Sequence, residues 1–98
     1  MANVRWTGPA VRDLLAVFRF VAFDDPVAAR RLRDRLREAT RVLGEHPQMG
    51  REVPELGNPA VREIVRGSYR IIYRARRDVQ TLAVIEGHRE LPEDVSAR

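Results

Sequence analysis

The order of apolar and polar positions divides this chain into a helical first half and an extended last third. Asn3 to Trp6 alternates and predicts a short strand, closed by Thr7-Gly8-Pro9, where Thr7 suits a helix cap and Pro9 the first turn. Val11, Leu14, Leu15, Phe18 and Val21 then recur at helical spacing and predict an apolar stripe facing a core. Ala16, Val17, Phe20 and Phe23 add apolar surface beyond what a helix on one sheet requires. Asp24-Asp25-Pro26 stops this helix and starts another, with Asp25 as its cap. The second helix is expected to reach about Glu45, with Ala29, Leu32, Leu36, Ala39 and Leu43 on its inner line. So short a connection makes the two an antiparallel hairpin.

From Gly44 to Ala60 the breakers Gly44, Pro47, Gly50, Pro54, Gly57 and Pro59 forbid a continuous helix or central strand. This predicts a long loop, with Arg51 to Val53 as its one extended piece. Val61 to Arg66, Tyr69 to Arg76 and Val79 to Glu86 are rich in Val, Ile and Tyr and are separated by Gly67-Ser68 and Arg77-Asp78, the pattern of two successive hairpins. In the middle strand Tyr69, Ile71, Tyr73 and Ala75 share one face, and Arg70, Ile72 and Arg74 the other. The expected order β-α-α-β-β-β is an α+β domain: an N-terminal strand, an antiparallel helical hairpin, then a mainly antiparallel three-stranded meander. At 98 residues the chain makes one domain, ordered over about residues 3–91, with a short polar tail expected to fray.

Composition narrows the chemistry. All 18 basic residues are arginine and the formal net charge is +4, which suits acidic proteins and nucleic acid alike; a GC-rich genome produces the same bias without selection for binding. The absence of cysteine removes disulfides, thiolate metal sites and cysteine nucleophiles, and fits a cytoplasmic location. Two distant histidines make no recognisable ligand set, so no metal or cofactor is expected. The apolar run from Ala10 to Phe23 is broken by Arg12, Asp13 and Arg19, so no membrane segment is expected.

Trp6, Asp13-Leu14, Pro26 with Ala28-Ala29, Leu43 with Pro47, Gly50-Arg51, Val53-Pro54-Glu55, Arg62-Glu63, Gly67, Tyr69-Arg70-Ile71, Tyr73-Arg74 and His88-Arg89 stand in an order that resembles the ParE branch of the RelE/ParE toxin–antitoxin superfamily. That resemblance implies a toxin silenced by a ParD-like antitoxin, in a possible hetero-oligomer with it, and DNA gyrase as the target of a ParE-like member. The RelE branch instead implies messenger RNA cleavage on the ribosome, and a non-toxic antitoxin-binding module is a third reading.

Cutting RNA needs a base, an acid and cations on the phosphate, and arginine supplies only the last. By resemblance Arg70 and Arg89 stand where RelE-like nucleases carry phosphate-contacting arginines; Arg62 and His88 complete the candidates for contact with a target or phosphate. Beyond Arg89 the chain reads Glu90-Leu91-Pro92-Glu93-Asp94-Val95, without the histidine or tyrosine that the nuclease branch places there. No catalytic residue is therefore assigned. His88 and Arg89 are expected on opposite faces, and Arg70 has a structural alternative as an anchor for Glu63 or Glu86. The candidates for antitoxin binding are Val17, Phe20 and Phe23, rimmed by Arg30, Arg37 and Arg41, which would receive an amphipathic acidic helix. On the second helix Asp34 and Glu38 lie within helical reach of those arginines, so a solvated face is the plainer reading.

Overall fold

The computed structural model describes residues 1–98. Its elements follow the expected order: β1 (Val4–Trp6), α1 (Gly8–Asp24), α2 (Pro26–Glu45), β2 (Arg51–Glu52), β3 (Val61–Arg66), β4 (Tyr69–Ala75) and β5 (Val79–Glu86). One sheet runs β1-β5-β4-β3-β2, antiparallel except where β1 lies parallel to β5. The Thr7 hydroxyl accepts the Ala10 N–H at 3.3 Å and donates to the Thr81 carbonyl at 3.1 Å, so one side chain starts α1 and ties it to β5. Asp25 accepts the Ala28 N–H at 3.0 Å and begins α2. No helix is long and apolar enough to cross a membrane.

The sheet has two apolar faces. Tyr69, Ile71, Tyr73 and Ala75 point towards the helices, where Ile71 and Tyr73 join Leu36, Ala39, Leu43, Ile64, Val79 and Val84 in one core. Burying leucines such as Leu36 and Leu43 contributes about 1.5–3 kcal/mol each. On the other face Ile72 packs with Val53, Val61, Leu82, Ala83, Ile85 and Val95. The second cluster exists because the breaker-rich loop delivers Val53 and the C-terminal segment delivers Val95. Opposite Ile72 and Tyr73 the register passes from Ala83 to Thr81, leaving Leu82 as a bulge residue. Leu82 and Ala83 both join the second cluster as a result.

Two expectations need correction. The inner side of α1 is not the stripe from Val11 to Val21: Val11 and Leu15 are 51% and 43% exposed, whereas Ala10 is buried and Leu14 and Val17 pack on the core. Helical spacing fits several rotations of an apolar-rich helix. The choice falls to the neighbours: the sheet takes Ala10, Leu14 and Val17, and α2 flanks Phe18, over whose ring Arg33 sits at 5.5 Å. The tail, expected to fray, packs instead. Val95–Ala97 forms a 3-10 turn with Val95 buried, and Arg98 binds Asp13 at 3.0 Å and the Leu82 carbonyl at 3.1 Å. Asp13 also accepts the Val84 N–H at 3.1 Å, so the polar groups beside the bulge are met by one carboxylate and one guanidinium.

Candidate functional site: two depressions on opposite faces

The first depression lies on the sheet face turned away from the helices, with a volume of about 560 Å³. Its floor is an ion network. The side chain of Glu63, 0% exposed, accepts from the Arg70 Nε at 2.9 Å and from the Arg51 Nε at 2.7 Å, and a further Arg70 nitrogen also bonds it. The remaining Arg70 valence goes to Glu55 as a two-pronged pair, at 2.9 and 3.0 Å. Strand pairing explains the convergence: Arg51 stands opposite Glu63, and Arg70 opposite Val65, two residues further on the same face. Glu55 arrives from the loop after the buried Val53. The lining continues through Val65, Gly67, Ser68, Glu86, Gly87 and His88.

This arrangement decides what Arg70 can do. Its guanidinium is buried and held by two carboxylates, so it has the structural role of anchoring Glu63, and Glu55 rather than Glu86 is the second partner. Three carboxylates line the depression against the two guanidiniums of Arg51 and Arg70, which disfavours an incoming phosphate. The Arg70 guanidinium beside Glu55 holds that carboxyl below the usual carboxylate range. Because its folded-state pKa is depressed, the contribution is present at neutral pH and disappears as pH falls through that lowered value. Glu55 is partly exposed, so its replacement by glutamine is expected to cost only about 1 kcal/mol or less at neutral pH. Urea unfolding across an acid series should show that difference closing below the ordinary carboxylate range.

The second depression lies between α1 and the end of β5. Ala16, Val17, Phe20, Tyr69, Val84 and Ile85 supply its apolar wall, with Asp13, Glu86, Arg89 and Glu90 at its lip. Phe20 and Phe23 are 79% and 90% exposed, so the hairpin leaves uncovered the surplus that the sequence indicated, while Val17 is half-buried against the core. The α2 arginines expected as a rim are elsewhere: none of Arg30, Arg37 and Arg41 lines the groove. Phe18 meets α2 through Arg33, whereas Phe20 opens onto the groove, so α1 separates the two.

The four candidates for target or phosphate contact thus do not converge. Arg70 and His88 line the first depression, and Arg89 lines the second. The separation of His88 from Arg89 comes from the turn after Glu86, not from strand alternation, since β5 ends there and the His88 N–H bonds Glu86 at 3.0 Å. Arg62 pairs across the sheet with Tyr73 on the helix-facing side and donates to the Gly50 carbonyl at 2.8 Å. Glu55, the Asp13–Arg98 clasp and the Tyr73 hydroxyl are structural determinants that sequence reasoning missed. Glu55, Asp13 and Tyr73 all stand in the order of residues that resembles the ParE branch, but that order names no partner for any of them, and Arg98 lies outside it.

An N-terminal strand, a helical hairpin and a strand meander joined in one β1-β5-β4-β3-β2 sheet make the fold of a ParE-type toxin. Residues 4–91 match the description "ParE toxin of type II toxin-antitoxin system, parDE", and the chain belongs to that family. Among curated relatives, Putative toxin Y4kP of Sinorhizobium fredii is 37% identical over 94 residues, covering 93% of this chain and 94% of its own length. Toxin RelE2 of Caulobacter vibrioides is 38% identical over 65 residues, 66% of this chain and 69% of that protein. The chromosomal ParDE TA system from P. aeruginosa contains a chain of the same fold, with a TM-score of 0.71 at 23% identity over 88% of this chain and 96% of that one.

Proposed function

We propose that this ParE-type toxin acts by adhering to a protein target, with DNA gyrase as that target, and that a ParD-like antitoxin silences it by occupying the groove between α1 and β5. The observation that carries the non-enzymatic reading is the state of Arg70. A nuclease needs its cations free to meet a phosphate, and here both edges of that guanidinium are taken by Glu63 and Glu55. Arg89 opens onto the other depression, so no single cleft joins the two arginines with the imidazole of His88.

Inducing the chain alone in bacteria tests this: growth arrest with a DNA-damage response and inhibited supercoiling by purified gyrase is the expected result. Arrest with cleaved messages that depends on His88 would establish the ribonuclease instead, and normal growth the inert antitoxin-binding module.

For the antitoxin, the exposed Phe20 and the apolar wall beneath it support an amphipathic helix as ligand. The lip carries Asp13, Glu86 and Glu90 against Arg89, with Asp13 met by Arg98, so charge there selects against an acidic flank. This revises the acidic helix expected from the arginine content. Phe20→Glu is expected to weaken antitoxin affinity by about 30-fold or more with the fold intact, measurable by calorimetry. Unchanged affinity would move the antitoxin to another face.

A further inference from the structure

We propose that the outer face of α2 grips the phosphate backbone of duplex nucleic acid through Arg30, Arg31, Arg35 and Arg37. The helix carries six arginines and three carboxylates, and the carboxylates are unevenly spent. Arg41 takes Glu38 at 2.7 Å and Glu45 at 3.2 Å, while Arg33 takes Asp34 at 3.2 Å. Two arginines thus absorb all three acids. The other four are exposed and form no ion pair, two of them on each flank of a 20-residue rod about 30 Å long.

The same face argues against a peptide as the occupant. The residues turned outward from Arg30 to Glu38 are Arg30, Arg31, Asp34, Arg35, Arg37 and Glu38, all charged, so an amphipathic helix would find no apolar surface to bury there. A duplex needs none. Its closely spaced phosphates hold condensed counterions, and each guanidinium that replaces them gains from their release. The chain's overall positive charge adds long-range attraction of the same sign. Neither depression includes these residues, so the site is independent of the groove assigned to the antitoxin.

The test is fluorescence anisotropy of a labelled duplex of about 20 base pairs titrated with the purified chain over a range of salt. Four phosphate contacts predict a log–log slope of about −3.6. Replacing Arg30, Arg31, Arg35 and Arg37 together by glutamine should flatten the slope and weaken binding more than about tenfold at about 0.1 M salt. Replacing the same four by lysine should preserve the slope, since the charge is kept. Circular dichroism establishes that the variants remain folded. The proposal is overturned if the wild-type chain does not bind, or if glutamine at the exposed Arg12, Arg19, Arg76 and Arg77 weakens binding as much, because net charge would then suffice. It is equally overturned if polyglutamate competes as well as duplex at equal charge, which would make an acidic protein the partner.

Discussion

Replacing Arg70 by methionine is expected to cost about 3 kcal/mol or more of folding stability, because it removes both side-chain donors to one oxygen of a fully buried carboxylate. Glu63 would keep Arg51 as its one cationic partner, and Arg51 is itself largely exposed. Glu55 would lose its two-pronged partner and return to solvent. The size of the effect comes from Glu63 having no water to replace the lost donors. Adding Glu63→Met to Arg70→Met should therefore recover much of the loss, since an apolar pair of similar volume removes the uncompensated charge. Denaturant midpoints of the two single variants and the double variant measure this directly. Near-wild-type stability of Arg70→Met would mean that the arginine is a free cation, and would return it to the candidates for phosphate contact. Loss of toxicity on mutating Arg70 is otherwise expected to follow from loss of fold.

Gly50→Ala is expected to destabilise by about 2–4 kcal/mol, through overpacking together with lost hydrogen bonds. An added Cβ would lie 2.5 Å from the Glu63 carbonyl and 2.6 Å from the Tyr73 hydroxyl, and neither can retreat. The carbonyl belongs to a strand backbone. The hydroxyl accepts the Gly50 N–H at 2.9 Å and donates to the Pro47 carbonyl at 2.8 Å. Glycine is required here for close approach, not for an unusual backbone angle. A fall in Tm of about 10 °C or more is the expected readout for a domain of this size. The same bonds give Tyr73 its importance: burial raises its phenol pKa above the ordinary value, so its contribution declines only in strong alkali. A Gly50→Ala variant as stable as the parent would show that the loop does not depend on this contact.

These two residues also show how far the chain could be read. Gly50-Arg51 belonged to the order of residues that resembles the ParE branch, yet spacing along the chain gave no reason for the glycine. Tyr73 lies 23 positions away and reaches it only because β2 pairs with β3 and β3 with β4. Arg70 could be assigned to a strand face from alternation, and Glu63 anticipated as its partner. Glu55 could not, since its approach depends on a loop whose path is set by the burial of Val53.

Element order, the helix caps at Thr7 and Asp25, the inner line of α2 and the two hairpins were determined by the sequence alone, because each is a local preference repeated over neighbouring residues. The rotation of α1, the folding back of the tail onto Asp13 and the separation of Arg89 from Arg70 were decided by the tertiary structure. Each of these compares contacts between segments distant in the chain, and local propensity is nearly equal for the alternatives. Phe20 illustrates the division: its place on the helix follows from spacing, and its exposure follows from which neighbours pack against α1.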